Sequence, residues 1–323
     1  GRRQWDEGRS AKPDNVQTYL DRKGVEHTKG LRYRPDGTVL VPMIRYDITE
    51  AQEQAPGYSG PRRLLGLQKI SPDGKKLFNK GLAKEGAACR LGGAPRTGEP
   101  IGLTEGLATG LSVRMATGHE LAVFVAFDAG NLMHVARILR KLHPQNSILI
   151  FADDDAYLEA SMNRLLRENY GLAETVTVPR TEWKFKGSVL KDGSRVAADL
   201  VISCEGVVGS DGVAGIVGAV RCGERLFTFV RENAGRKYAL RAAAEIGNAE
   251  VIYPAFSDRT LSADPDTPKL TDYNDLHQAE GLEAVRAQLK PDIERVKLSA
   301  QIRALMRSEL GKTKRAGSAS GGD

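Results

Sequence analysis

Between residues 101 and 170 the chain alternates short, wholly apolar segments with longer amphipathic ones. The apolar segments are IGLT, LAVFVAF and SILIF. The intervening segments, such as DAGNLMHVARILRKLHP, repeat apolar residues every three or four positions, which is the period of a helix with one buried face. Continuous apolar strands that alternate with such helices predict an α/β fold with a parallel sheet covered on both faces.

Residues 31–100 have a different pattern, in which short extended runs are separated by turns. The segments LRYRPDGTVLVPMIRYD and RRLLGLQKISPDGKKLFNKG each place Pro-Asp-Gly between two such runs. Asp-Gly turns of this kind are typical of paired strands. The sequence therefore predicts a β-rich N-terminal subdomain over residues 1–100, which includes a short helix ending near Gly24.

The alternation of predicted strands and helices is interrupted at residues 172–232, which are rich in valine and glycine. A Lys-Asp-Gly turn within this stretch predicts an inserted β element. Its glycines recur every third residue from 206 to 218, but no Gly-Lys-Ser/Thr follows, so turns and small-residue packing are favoured over a phosphate-binding loop. The alternation resumes with the predicted helix GRKYALRAAAEIG. The sequence therefore predicts an α/β domain over residues 101–285. Residues 286–323 are expected to form C-terminal helices and a disordered tail, GKTKRAGSASGGD.

Composition narrows the class of protein. Hydrophobic content of 41% and charged content of 27% are those of a soluble globular chain, and no apolar run reaches the ~18 residues of a membrane span. The N-terminus does not resemble a signal peptide, and it looks like a domain boundary within a longer protein. The three cysteines are scattered and the five histidines form no ligand-spaced pair, which disfavours a disulfide framework or a zinc ribbon. We therefore expect a cytoplasmic protein with no membrane partner.

The net charge of +6 is concentrated at the front of the chain. Residues 1–100 contain 19 Lys and Arg against 12 Asp and Glu, so the remainder is close to neutral. A basic front half indicates a polyanionic partner such as nucleic acid or nucleotides. A solvated surface explains the same charge equally well, and charge alone leaves the two open.

Acidic residues follow three of the predicted strands. Glu105 ends IGLTE, Asp153, Asp154 and Asp155 follow SILIF, and Asp272 and Asp275 follow EVIYPAF. Ligands of parallel α/β sheets bind beyond the carboxyl ends of the strands, and Mg²⁺ prefers oxygen ligands. Asp153 and Asp155, two residues apart, are predicted to face one Mg²⁺ (or Mn²⁺) ion while Asp154 faces elsewhere. Helix capping alone would account for one of these acids, but not for the set.

The motifs LTEGLATG, FADDDA and TDYNDL, in this order, resemble the Toprim fold of bacterial-type primases, topoisomerases and some nucleases. The resemblance implies that Glu105, Asp153 and Asp155 are the core catalytic and metal-binding acids, with Asp272 and Asp275 completing the site or supporting it. The phrases LQKISPDGKKLFNKG and AFDAGNL are similar to Toprim primases of plasmids, phages and integrative elements, which connects the chain with plasmid conjugation. The resemblance covers roughly residues 30–285, interrupted by the insert, and the Cys/His zinc module of many such primases is not found.

What the resemblance implies is a DNA primase that makes short primers on a single-stranded DNA template from nucleoside triphosphates, with a replicative helicase as a candidate partner. The basic subdomain would then bind nucleotide or template. The candidate residues for this role are Lys76, Lys80, Arg62, Arg63 and Arg45. For each of them a solvated hairpin is the alternative. In the insert, RTEWKFKG interleaves aromatics with lysines, which suits single strands, although a strand with one buried face explains it more simply.

Two other functions stay open. A Toprim nuclease would need the same metal ions but not the basic N-terminal subdomain. A non-catalytic single-stranded-DNA-binding replication factor would need no intact acids. A topoisomerase is disfavoured because the chain is short for a strand-passing gate.

Overall fold

The computed structural model describes residues 1–60, 62–259 and 269–319, with side chains in the last range described through residue 306. The fold is mixed α/β, and the chain divides into two compact units. Unit 1 comprises residues 1–152, 242–255 and 272–323, and unit 2 comprises residues 153–241 and 256–271. Unit 2 is therefore inserted into unit 1 along the sequence.

The first part of unit 1 is a four-stranded antiparallel sheet with three short helices. Its elements are α1 (Arg2–Glu7), α2 (Tyr19–Arg22), β1 (Arg32–Tyr33), β2 (Val39–Ile44), α3 (Glu50–Gln54), β3 (Leu64–Ile70) and β4 (Lys76–Phe78). The strand order is β1-β2-β3-β4. Both Pro-Asp-Gly turns join paired strands, and Gly37 and Gly74 have positive φ angles of 83° and 88°, a conformation that glycine adopts without strain. The predicted hairpins are confirmed, and so is the short helix before Gly24.

The second part of unit 1 contains the predicted parallel sheet. Its first elements are β5 (Cys89–Leu91), β6 (Ile101–Thr104), α4 (Leu107–Ala116), β7 (Ala122–Val125), α5 (Ala129–Leu142) and β8 (Ile148–Phe151). Strands β6, β7 and β8 are parallel, whereas β5 pairs antiparallel with β7 at the edge. Because β5 lies in this sheet, residues 1–100 and the sheet belong to one compact unit.

Burial explains the apolar pattern of these strands. Every residue of β6, β7 and β8 is buried. Helix α5 buries Leu132, Val135, Ala136 and Leu139 on one face, as its period predicted. Asp128 caps this helix by accepting a hydrogen bond from the Asn131 backbone N–H at 3.1 Å.

Unit 2 consists mainly of one helix and an antiparallel meander. Its elements are α6 (Leu158–Tyr170), β9 (Arg180–Lys191), β10 (Ser194–Val208), β11 (Ala214–Cys222) and β12 (Arg225–Glu232). The strand order is β12-β11-β10-β9, and each neighbouring pair is antiparallel. One face of the meander packs with α6 in a cluster that includes Met162, Leu166, Ile202 and Val220. The inserted β element is confirmed.

The remaining elements are α7 (Ala234–Ile246), β13 (Ala249–Ile252), α8 (Tyr273–Glu280) and α9 (Leu282–Ala319). Strand β13 pairs parallel with β8, which gives the sheet order β13-β8-β6-β7-β5. Helix α9 includes residues 311–319, which composition assigned to a disordered tail, and residues 320–323 lie outside the described residues. In the part of the chain that the structure describes, no helix combines the length and the apolarity needed to cross a bilayer.

Candidate functional site

Two neighbouring parallel strands of unit 1 end at the same edge of the sheet. Thr104, the last residue of β6, is in register with Phe151, the last residue of β8. Glu105 follows β6 directly and is half-buried, and its backbone carbonyl accepts a hydrogen bond from the Phe127 N–H at 2.9 Å. The chain enters unit 2 at Asp153, two residues after β8. The sequence therefore predicted the strand-end positions of these acids correctly.

The three consecutive aspartates of unit 2 differ in exposure. Asp153 is half-buried, Asp154 is buried and Asp155 is exposed. Asp154 is 4% exposed, and its carboxylate accepts hydrogen bonds from Asn233 Nδ2 at 2.6 Å, Arg236 Nε at 2.7 Å and Arg259 Nη1 at 2.6 Å. The middle aspartate thus faces two guanidinium groups, whereas the sequence predicted only that it faces elsewhere than Asp153 and Asp155.

The electrostatics of Asp154 follow from these partners. Burial alone raises the pKa of this carboxyl, but the hydrogen bonds from Arg236, Arg259 and Asn233 outweigh burial, so that its pKa lies below the ordinary value. The Asp154 backbone N–H also donates to the Thr271 carbonyl at 2.7 Å. The ionised Asp154 carboxylate therefore connects residues that lie far apart in the sequence.

Asp155 lies at the N-terminus of α7. The Gly235 N–H donates to Asp155 Oδ2 at 3.3 Å, and the Asp155 N–H donates to Asn233 Oδ1 at 3.1 Å. The same Asn233 oxygen accepts a hydrogen bond from the Arg236 N–H at 3.1 Å. A carboxylate at a helix N-terminus is stabilised by the helix dipole, so capping accounts for part of the placement of Asp155.

Gly235 permits a close approach between α7 and the aspartate loop. A Cβ atom at this position would lie 2.2 Å from the carbonyl oxygen of Asp153. No residue other than glycine fits such a contact without moving the loop. Sequence reasoning missed the supporting residues Asn233, Gly235, Arg236 and Arg259. The available signal was the segment NAGR, at which the α/β pattern resumes after the insert.

Asp272 and Asp275 form the capping box of α8 in unit 1. Asp272 accepts from the backbone N–H groups of Asn274 and Asp275 at 2.7 and 2.8 Å, and from Thr109 Oγ1 at 2.9 Å. Burial, together with the charge of Asp275, raises the pKa of Asp272. Asp275 lies 3.7 Å from Lys23 Nζ. Both acids therefore have a structural role at the start of this helix.

The described residues do not bring the predicted metal ligands together as a set. Asp272 is adjacent to Asp275 in unit 1, and Asp153 is close to Asp155 in unit 2. Among the ranges that the structure describes, no three His, Cys, Asp or Glu side chains are placed to hold one ion. The Mg²⁺ or Mn²⁺ site stays a prediction.

The predicted basic residues fall into two groups. Arg45 forms two hydrogen bonds with Asp47 at 2.8 and 2.6 Å, Arg62 lies 3.8 Å from Glu53, and Arg63 pairs with Glu50. Lys76 and Lys80 are exposed, and neither forms an ion pair within the described part of the chain. The two lysines are therefore the more available of the predicted anion-binding groups.

The RTEWKFKG segment lies in β9, where side chains alternate between the two faces of the meander. Trp183 and Phe185 pack against the cluster between the meander and α6, whereas Lys184 and Lys186 are exposed. The aromatics thus belong to the core face, which favours the simpler interpretation, that of a strand with one buried face.

Comparisons with known proteins connect part of the chain with primases. No family model matches. The chain is 31% identical over 142 residues to a protein of Escherichia coli named DNA primase TraC, a match that covers 43% of this chain and 9% of that protein. A second Escherichia coli protein of this name is 36% identical over 106 residues, which is 32% of this chain and 10% of the relative. The matches span about a tenth of the length of these curated relatives.

A solved structure also aligns with the chain. The primase fragment of the bacteriophage T7 primase-helicase protein aligns with 87% of this chain and 74% of its own, with a TM-score of 0.39 and 12% sequence identity. Because this TM-score and this identity are low, the structural alignment carries no information on function. The finding that bears on function is the sequence similarity to proteins named DNA primase.

Proposed function

We propose that this chain is the catalytic part of a Toprim DNA primase from a mobile element, which synthesises short primers on single-stranded DNA. The similarity to Escherichia coli proteins named DNA primase carries the proposal. It is supported by the acids that follow adjacent parallel strands, because ligands of such sheets bind at this edge.

The exposure of the acids suits a metal-dependent reaction. Glu105, Asp153 and Asp155 retain exposed surface, whereas Asp154 is committed to two arginines. Carboxylate oxygens are the ligands that Mg²⁺ takes in sites shared with substrate phosphates, so the donor chemistry fits. In this proposal the three accessible acids hold Mg²⁺ (or Mn²⁺), which would neutralise charge on the phosphates and favour deprotonation of the attacking hydroxyl.

The reaction proposed is nucleotidyl transfer. The 3′-hydroxyl of the growing primer loses its proton to water and its oxygen forms a bond to the α-phosphorus of a nucleoside triphosphate. The bond from that phosphorus to the bridging oxygen breaks, and pyrophosphate leaves. The role of this chain's own residues is to hold the reacting groups in line and to keep the acids in place. Asn233, Arg236 and Arg259 fix the aspartate loop through Asp154 and Asp155.

The basic part of unit 1 supplies the substrate contacts in this proposal. Lys76 and Lys80 would bind phosphates of the triphosphate or the template, because they are exposed and their charge is not committed to a described carboxylate. Arg45, Arg62 and Arg63 would contribute less, since each already pairs with an acid.

The test is primer synthesis on mixed-sequence single-stranded DNA with labelled nucleotides and Mg²⁺ or Mn²⁺. Wild type is compared with Asp153→Asn/Asp155→Asn, in which an asparagine oxygen at position 155 still accepts the Gly235 hydrogen bond while the charge is lost. Asp192→Asn is the matched control. Asp192 is exposed in the β9–β10 turn with a φ of 49°, which asparagine also adopts.

Short products from wild type and Asp192→Asn, with a loss of at least about 100-fold in the double variant, are the expected result. Metal-dependent degradation of the template without primers would replace the proposal with the nuclease. Template binding with neither activity would indicate a non-catalytic binding factor.

A further inference from the structure

Unit 1 contains a buried arginine whose charge has no carboxylate partner. Arg114, in the last turn of α4, is only 8% exposed. Its Nη1 atom donates to the carbonyl oxygens of Leu121 at 2.6 Å and Leu91 at 3.3 Å. No described Asp or Glu lies within ion-pair distance of it, and its Nε and Nη2 atoms donate to no described residue. Buried charges in proteins are normally paired, because removing an ion from water costs several kcal/mol.

Arg140 in α5, which is half-buried, shows how this chain satisfies a guanidinium group by backbone carbonyls alone. Its three nitrogen atoms donate to six backbone carbonyl oxygens, those of His143, Pro144, Asn146, Ile246, Gly247 and Asn248. Arg114, by contrast, donates hydrogen bonds to described residues through one nitrogen atom, Nη1. The negative end of the α4 dipole compensates part of its charge, but that end is equivalent to about half a unit of charge. A net positive charge is therefore left at Arg114.

This guanidinium lines a cavity of about 470 Å³. The other lining residues are Glu26, His27, Thr28, Lys29, Gly92, Gly93, Leu111, Met115 and His119. Gly92 has a φ of 88°, and a Cβ there would lie 1.9 Å from Arg114 Nη1, so the glycine lets the loop after β5 close against the guanidinium. The arginine is thus held in one position by the fold.

The charges around the cavity favour an anion. Arg114 and Lys29 are basic, and Glu26 is the one carboxylate among the described lining residues. Glu26 lies 3.2 Å from His119 Nε2, at the exposed rim. Burial lowers the pKa of Arg114, but a guanidinium stays protonated at neutral pH. The cavity therefore combines a fixed, largely buried cation with room for a ligand.

We propose that this cavity, which we call the Arg114 pocket, is a metal-independent binding site for a phosphate group. Arginine presents its donors in a planar fork that matches phosphate oxygens, and the unused Nε and Nη2 atoms supply such a fork. The pocket lies at the end of α4 opposite Glu105, about 15 Å away along a ten-residue helix. It is thus distinct from Glu105 and does not rest on the proposed function.

The test measures binding of inorganic pyrophosphate, and separately of a labelled oligothymidylate, to the intact chain in EDTA. The matched pair is Thr28→Glu and Thr28→Gln, which differ in charge but hardly in size, at a half-buried lining position. A carboxylate at residue 28 would neutralise the positive charge of the pocket. Arg114→Met is the direct variant. Thr28→Glu keeps the test valid if Arg114→Met does not fold.

Wild type, Thr28→Gln and Asp192→Asn are expected to bind alike, while Thr28→Glu and Arg114→Met bind at least about tenfold more weakly, the loss of one charge-assisted contact. A loss confined to pyrophosphate assigns the pocket to a free phosphate compound, and a loss that extends to the oligonucleotide assigns it to the nucleic-acid backbone. Equal binding of both ligands by Thr28→Glu and Thr28→Gln, or no binding by wild type, overturns the proposal.

Discussion

Three adjacent aspartates in this chain have three different environments. Asp154 is buried between Arg236 and Arg259, Asp155 lies exposed at a helix N-terminus, and Asp153 is half-buried. Residues two apart in an extended segment point the same way, and this predicted that Asp154 differs from its neighbours. The arginine partners were not, because they follow Asp154 by 82 and 105 residues.

We predict that Asp154→Asn destabilises unit 2 by about 2–4 kcal/mol, because two guanidinium groups lose their counter-charge. The folded-state pKa of Asp154 is lowered, so its ionised form contributes stability above the ordinary carboxyl pKa of 3.8, and this stability is lost as pH falls through the folded-state value. Thermal unfolding from pH 7 downward should therefore show a constant difference between the variant and wild type above pH 3.8, and convergence only as pH falls below it. Asp192→Asn should follow wild type throughout, and an unchanged melting curve for Asp154→Asn at pH 7 would contradict the prediction.

A second residue-scale prediction concerns Gly235. In Gly235→Ala the new methyl group would lie 2.2 Å from the Asp153 carbonyl oxygen, which belongs to the backbone and cannot rotate away. The expected cost is about 1–3 kcal/mol with a displaced aspartate loop. Gly206→Ala in β10 is the control, since the nearest atom to its Cβ would be at 3.9 Å. Amide hydrogen exchange around residues 153–155 measures the effect, and equal exchange in the two variants would refute it.

At the scale of elements, the sequence predicted strands and helices well where one side of each is buried. The apolar segments IGLT, LAVFVAF and SILIF became β6, β7 and β8, and the helix period of residues 128–144 became α5. The 172–232 stretch was predicted as β structure, but not as a single meander packed on α6. Its core face was predicted in β9, where the alternation of aromatics with lysines favoured a strand with one buried face, but the partner helix was not.

We predict that Trp183→Ala destabilises unit 2 by about 2 kcal/mol, because this side chain packs on the cluster between the meander and α6. Lys184→Ala, one residue along on the opposite face, should change stability by less than ~0.5 kcal/mol. Denaturant unfolding of both variants checks this difference. A stable Trp183→Ala variant that has lost single-strand binding would instead restore the stacking interpretation.

At the scale of the whole molecule, the discontinuous division into units escaped sequence reasoning. The predicted boundary at residue 100 was drawn from a change in strand pattern, yet β5 joins the parallel sheet from before that boundary. Pairing between β5 and β7 is long-range, and local patterns carry no information on such pairs. The likeness of motifs, by contrast, predicted a primase, which agrees with the names of the relatives.

The net charge of +6 leads to a prediction on nucleic-acid binding. Lys76→Ala/Lys80→Ala is expected to weaken single-strand binding and to reduce the slope of log affinity against log salt by about 1.4, the value for two lost phosphate contacts. Lys191→Ala is the control, since Lys191 is exposed at the end of β9 and is not one of the predicted anion-binding residues. A salt titration of oligonucleotide binding measures both slopes, and an unchanged slope in the double variant would exclude phosphate contacts by these lysines.

The insertion of the meander between the aspartates and α7 has a consequence for folding order. Asp155 is synthesised 78 residues before Asn233, to which its backbone is hydrogen-bonded. During synthesis the three carboxylates emerge before the arginines that will neutralise Asp154, and they stay hydrated until the intervening strands have formed. Because the hairpins of the meander are local, they can form first and shorten the effective loop that must close. The acidic segment is therefore expected to acquire its native arrangement late, only after the insert has folded.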